Sequence, residues 1–259
     1  MDTVLNAAPA AIRIRGIRLT NLAMDDALNA IDAALAARAP VRIAFVNADC
    51  INIAARNEAY RNTLLHMDWV FIDGIGMRLA GKILHQPVRD NVNGTDLFPR
   101  VCDELALRRR RIFLLGANPG VAKAAAQRVQ ARHPGIVIAG TEHGYFSEAE
   151  TPALIERIRA ARPDVLFVAM GAPRQERWIE QYAEACGATV TLGVGGLLDF
   201  FSGNIPRAPV WMRRLGLEWF FRLVQEPGRL WKRYLLGNWI FMARIAVDRL
   251  QEVISGVRK

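Results

Sequence analysis

The sequence predicts an α/β fold, a Rossmann-like parallel sheet with helices on both faces, carrying a basic helical appendage at its C-terminal end. Three observations lead there. Short apolar runs recur along the chain and alternate with stretches of helical periodicity, the pattern of strands buried on both faces. Several runs stop at glycine or aspartate, and in open parallel sheets ligands bind at those carboxyl ends. After about residue 206 the alternation ceases, and 207–259 holds eleven Lys/Arg against four Asp/Glu, with Trp211, Trp219, Trp231 and Trp239.

An Ala-rich amphipathic helix is expected over 23–37, then a strand over 41–46 and a helix over about 50–66. A strand at 69–72 stops at Asp73-Gly74, and a helix follows over 97–108. The strand at 111–115 ends at Gly116, and Pro119-Gly120 precedes a helix over 121–132. Strands at 136–139, 165–169 and 189–192 complete the sheet, the last running into Gly193-Val194-Gly195-Gly196. The division that follows is a catalytic domain over 1–206 and a basic aromatic helical segment over 207–259.

With 259 residues, 52% of them hydrophobic, the chain can bury a full core. A net charge of +9 favours anionic partners: lipid head groups, phosphorylated substrates or nucleic acid. Cys50, Cys102 and Cys186 are scattered and odd in number, which argues against a disulfide framework or a thiolate zinc site and fits a reducing compartment. Asp2 and the arginines at 13, 15 and 18 are unlike a signal peptide. The longest late apolar run, 234–247, is 14 residues and contains Arg244, short of a membrane span. The expectation is a soluble or peripheral protein.

The candidate chemistry lies at strand ends. Asp73, beside Gly74 and Gly76, can take a proton from a hydroxyl; equally, it can cap the following helix. Asn93-Gly94-Thr95-Asp96 reads as a helix N-cap, and Arg89 before it can pair with a phosphate or carboxylate. Gly116-Ala117-Asn118-Pro119-Gly120 can hold a phosphate on helix N–H groups. Gly193, Gly195 and Gly196, followed by Asp199, suit a diphosphate or ribose contact. In Gly171-Ala172-Pro173-Arg174-Gln175-Glu176, a strand end meets a proline-initiated helix; Gln175 can bind hydroxyls and Arg174 phosphate. No DxD is present and the four histidines have no ligand spacing, so neither a metal nor a cofactor is expected. GxSxG, HExxH, GxGxxG and the P-loop are all missing, which removes the usual carriers of hydrolase, dinucleotide and P-loop chemistry.

Taken together with Asn47-Ala48-Asp49, Phe113-Leu114-Leu115-Gly116, Gly144-Tyr145-Phe146, Arg207-Ala208-Pro209 and Glu218-Trp219-Phe220-Phe221-Arg222, these strings resemble the WecG/TagA/CpsF family of glycosyltransferases, from about residue 44 to 234. The resemblance implies inverting, metal-independent transfer from a UDP-sugar to a polyprenyl-diphosphate-linked sugar. By the same resemblance Asp73 is the catalytic base, and Asn47, Arg89, Thr95, Asp96 and Gln175 belong to the substrate pocket. Gly171, the 193–196 turn, Asp199, Arg207, Arg214 and Arg222 fall where the family binds the nucleotide.

Members that transfer N-acetylmannosamine often carry Thr two residues before the pocket Asn. Phe45 stands there, and the string from Phe45 to Cys50 looks more like the xanthan-type branch. The expected reaction is therefore β-1,4 transfer of glucose in exopolysaccharide synthesis, with N-acetylmannosamine or N-acetylmannosaminuronic acid transfer as the alternative. Trp and Arg suit the head-group layer, so 207–259 is expected on an anionic membrane surface, at the cytoplasmic face of the cell membrane. A helical cap packed on the core is the plainer reading of that segment. A nucleic-acid-binding protein would share the charge but lacks a recognisable module, and a nucleotide-cofactor oxidoreductase would share the sheet but lacks its glycine fingerprint.

Overall fold

The computed structural model describes residues 10–255; Asp2, and Arg258 and Lys259 of the basic segment, lie outside them. The expected class is present: an eight-stranded sheet, parallel except at one edge, flanked by helices on both faces.

The edge begins with a hairpin that the sequence reading missed. β1 (Ala11–Ile14) and β2 (Ile17–Thr20) pair antiparallel around Arg15-Gly16, both with positive φ (51° and 77°). Two successive positive φ values suit the right-handed twist of a two-residue hairpin, and Gly16 takes the second at no steric cost.

Helix α1 (Met24–Ala37) leads into β3 (Val41–Val46). The single helix expected over 50–66 is two, α2 (Ala48–Ala54) and α3 (Glu58–Leu65), because Asn57 caps the second by accepting from the N–H of Tyr60 at 3.0 Å. Then come β4 (Trp69–Ile72) and α4 (Ile75–Ile83). Helix α5 (Gly94–Leu107) starts three residues before its expected position, since Asn93 is the cap. β5 (Arg111–Gly116), α6 (Val121–Arg132), β6 (Val137–Glu142), α7 (Thr151–Ala161), β7 (Val165–Ala169), α8 (Arg174–Cys186) and β8 (Val190–Gly193) follow in alternation.

The sheet order is β1-β2-β4-β3-β8-β7-β5-β6. Strand residues divide with period two between two cores. Ala44 and Val46 of β3 and Leu166 and Val168 of β7 face α2, α3, α4, α7 and α8. Ile43, Phe45 and Phe167 face α1, α5, α6 and the short α9 (Leu197–Phe201). The three cysteines are buried thiols in these cores.

From Val210 to Ser255 the chain is largely helical, as expected: α10 (Val210–Arg214), α11 (Glu218–Gln225), α12 (Pro227–Trp231), a π-helical turn (Lys232–Leu236) and α13 (Gly237–Ser255). No helix among the described residues is long and apolar enough to cross a membrane. The last helix is docked on the sheet domain: Phe241 and Ile245 are fully buried in the first core. Buried Asn52 on α2 grips it from both sides, donating to the carbonyl of Gly237 at 2.7 Å and accepting from Arg244 at 2.8 Å. At its far end Asp248 pairs with Arg15 of the hairpin at 2.6 Å.

Candidate active site

Strands β3, β4 and β8 end side by side, and the C-terminal helices close over them. The register pairs Val46 with Ile72, so Asn47 and Asp73 emerge at the same level, and the N–H of Asp73 donates to the carbonyl of Val46 at 2.9 Å. A pocket of about 180 Å³ opens above them. Its walls include Asp49, Asn91, Thr95 and Asp96 from the sheet domain, with Arg213, Glu218, Arg222 and Arg233 from the C-terminal helices.

Asn47 caps α2, its side-chain oxygen accepting from the N–H groups of Asp49 and Cys50 at 3.1 and 3.2 Å. Burial pushes the Asp73 carboxyl up to about 6, helped by the negative charge of Glu218; Arg233, Arg222 and the Asn47 amide act the other way. Desolvation dominates because a carboxylate at the pocket floor loses water that the nearby arginines replace only in part. Asp73 does not cap α4: Gly74, at φ 96°, occupies the cap and is held by Asn91, whose side-chain oxygen accepts from its N–H at 2.6 Å.

Thr95 and Asp96 line the pocket from the first turn of α5. Asp96 is bound on both oxygens: Asn93 donates to one at 2.7 Å, and Arg207 and Arg213 approach the other at 2.5 and 3.4 Å. Those partners outweigh its burial and hold its carboxyl below the ordinary range.

Several expected site residues stand elsewhere. Arg89 is outside the pocket lining and pairs with Asp26 at 3.2 Å; Asn91, two residues on, is in the lining. Gln175 is 3% exposed and reaches no hydroxyl; its oxygen accepts instead from the N–H groups of Gly171 and Gly195, at 3.0 and 2.8 Å. Arg207 is occupied by Asp96, Glu218 and the carbonyl of Thr95. Arg214 is exposed and outside the lining, where its neighbour Arg213 stands. Asp199 also lies outside the lining, and the next residue, Phe200, forms a wall under the Arg222 guanidinium, 5.1 Å from its ring centre. Arg222 points toward the Gly195-Gly196 turn, and its Nε is buried with no hydrogen-bond partner. Such an unmatched donor is costly in a resting site and suits an anion held between the arginine and the glycine turn.

The sequence reading passed over Asn91, Arg213, Glu218 and Arg233 as individuals. Arg233 sits in the pocket wall, ion-paired with Asp49 at 3.1 Å, yet nothing in the run Trp231-Lys232-Arg233-Tyr234 separates it from its neighbours. Glu218 did carry a signal, being one of only four acidic residues in the basic segment.

The same arrangement has relatives. A family model described as "Glycosyl transferase WecG/TagA/CpsF family" matches residues 12–254. The chain belongs to the WecG/TagA/CpsF glycosyltransferase family. The match extends the resemblance noted over 44–234 to include the hairpin and nearly all of α13. Among curated members, a Bacillus subtilis N-acetylglucosaminyldiphosphoundecaprenol N-acetyl-beta-D-mannosaminyltransferase is 36% identical over 193 residues, 74% of each chain. Proteins of the same name from Bacillus spizizenii (37% over 182 residues, 70% of each chain) and Staphylococcus aureus strain MW2 (34% over 206 residues, 79% of each chain) are similar.

These relatives overturn the expectation of glucose transfer in exopolysaccharide synthesis and of kinship with the xanthan-type branch; they match the N-acetylmannosamine alternative. The geometry shows why Phe45 misled. Its ring is 7% exposed and turned into the second core, 5.7 Å from the ring of Phe71, outside the pocket lining. A residue that does not face the pocket carries no information about the sugar bound there.

Proposed function

We propose that this family member transfers N-acetylmannosamine from UDP-N-acetylmannosamine to N-acetylglucosaminyl-diphosphoundecaprenol, with inversion at the anomeric carbon. The names of the relatives support the sugar and the acceptor. The observation that carries the chemistry is Asp73: a carboxyl desolvated to about 6, at a strand end, facing a pocket ringed by arginines. At neutral pH it is ionised yet basic enough to take a proton from the acceptor hydroxyl. That oxygen forms the new bond to the anomeric carbon as the bond to UDP breaks on the opposite face. Arg222 and the N–H groups of the 193–196 turn stabilise the leaving diphosphate, with Arg233 and Arg213 adding positive charge at the pocket wall.

The polyprenyl acceptor places the reaction at a membrane. The helices of 207–259 support that location, at the cytoplasmic face of the cell membrane, with Trp211, Leu215, Val224 and Trp239 at least 60% exposed. Large apolar side chains interspersed with arginine suit the head-group layer, where the rings insert and the guanidinium groups meet phosphates. We assign 207–259 both tasks, membrane contact on its outer side and closure of the pocket on its inner side.

The test is incubation with N-acetylglucosaminyl-diphosphoundecaprenol and a panel of UDP-sugars, with products identified by mass. The expected product carries one added N-acetylhexosamine, formed only with UDP-N-acetylmannosamine. A preference for another donor would reject the sugar assignment, and a nucleotide product without a lengthened lipid would reject the transfer.

A further inference from the structure

Helix α8 opens with two neighbouring polar side chains that the core swallows whole, Gln175 at 3% exposure and Glu176 at 0%. Buried polar groups of this kind are retained where each has a defined partner. Gln175 has three. Its oxygen accepts from the N–H of Gly171, just after β7, and from the N–H of Gly195, in the turn after β8. Its amide nitrogen donates to Glu176 at 2.7 Å.

We propose that Glu176 is a positioning residue for the nucleotide side of the pocket: its carboxyl orients the Gln175 amide, and Gln175 in turn holds the Gly171 and Gly195 turns together. A carboxamide presents an acceptor at one end and donors at the other, and only one orientation serves here. Flipped, its NH₂ would face two N–H donors while its oxygen faced the Glu176 carboxyl. Glu176 accepts at the donor end and so selects the working orientation.

The surroundings leave Gln175 little alternative. A Cβ on Gly193 would lie 3.1 Å from its nitrogen, so β8 ends in glycine where this side chain packs across the strand. Gly171 and Gly195 hold φ of 76° and 58°, conformations that the two N–H bonds help to fix. Burial pushes the Glu176 carboxyl up to about 7, and one of its oxygens has no partner. Only one carboxyl oxygen takes part in the contact with Gln175, and a glutamine at 176 offers a carbonyl oxygen in its place.

The functional consequence rests on the glycosyl-transfer reading; the brace itself does not. The experiment follows backbone amide exchange at Gly171 and Gly195 together with donor KM and kcat, in the wild type, Glu176→Gln and Glu176→Leu. Glu176→Leu is expected to speed exchange at both glycines at least tenfold and to raise donor KM more than it lowers kcat. Glu176→Gln is expected to keep both near wild type. Unchanged exchange in Glu176→Leu, or Glu176→Gln failing as badly as Glu176→Leu, overturns the proposal. If the leucine variant does not fold, Gln175→Met removes the acceptor and leaves Glu176 in place; protection persisting at the two glycines then overturns it. The exchange pattern as expected, in a protein that transfers no sugar, would reject the activity and leave the brace standing.

Discussion

Arg207 reaches across from the start of the C-terminal segment to bind Asp96 at 2.5 Å, while its Nε meets Glu218 at 3.2 Å. One guanidinium thereby ties α5 of the sheet domain to α11 of the C-terminal helices. Replacing it with alanine takes a partner from Glu218 and leaves Asp96 with Asn93 and the more distant Arg213. Arg207→Ala is expected to destabilise the protein by about 1–3 kcal/mol and to weaken UDP binding at least several-fold, measured by thermal unfolding and calorimetry. Retained UDP affinity would show that closure of the pocket does not depend on this tie.

On the proposed mechanism, in which the carboxyl acts on the hydroxyl rather than the nucleotide, Asp73→Asn is expected to lower kcat by about 10²–10⁴-fold while leaving donor KM within a few-fold. Near-normal turnover would remove Asp73 from the base role.

The raised value at Asp73 also predicts two pH effects. Turnover, measured as kcat/KM, should fall tenfold per pH step below about 6, as the base becomes protonated. Stability should move oppositely. A carboxyl whose folded value lies above its unfolded one contributes stability that is present below about 3.8 and lost as pH rises through about 6. Asp73→Asn removes that loss, so at pH 7.5 the variant should unfold at higher temperature than wild type, by a margin of about 1–3 kcal/mol. A variant less stable at that pH would contradict the desolvated carboxyl.

Asn52 is buried and serves two part-buried partners on α13, so Asn52→Ala removes the hydrogen bonds to both the Gly237 carbonyl and the Arg244 guanidinium. A loss of about 2–4 kcal/mol is expected by chemical denaturation. Protease sensitivity should rise first within α13, and uniform sensitivity along the chain would argue that the helix is not separately held.

Trp211→Ala with Trp239→Ala should reduce sedimentation with anionic vesicles several-fold without altering UDP affinity, because both rings face outward at 60% and 77% exposure. Unchanged sedimentation would move membrane contact away from these tryptophans.

The sheet was legible because buried parallel strands carry their own signature: the runs at 41–46, 69–72 and 165–169 coincide with β3, β4 and β7. The β1–β2 hairpin was not read, since Arg13, Arg15 and Arg18 broke the apolar pattern while its buried face, Ile14, Ile17 and Leu19, is only a few residues long. Of the residues that line the pocket, Asp73 was legible at a strand end, Thr95 and Asp96 at a helix start, and Asn47 through the family resemblance. Arg89 and Gln175 were not, because sequence tells which side chains can bind a ligand but not which have already been satisfied by Asp26 or by a neighbouring turn. Arg213 and Arg233 escaped for a different reason: in a segment rich in arginine, only the helix packing selects the inward ones.

The charged groups that act most strongly on Asp73 (Glu218, Arg233 and Arg222) all come from the C-terminal helices. Burial sets most of the carboxyl's proton affinity, and these helices adjust the rest. Proton affinity and the packing of these helices are linked, and linkage runs both ways. Anything that shifts those helices retunes the carboxyl, and protonating the carboxyl changes how firmly the helices sit. The enzyme's acidity and its shape are two readings of one equilibrium.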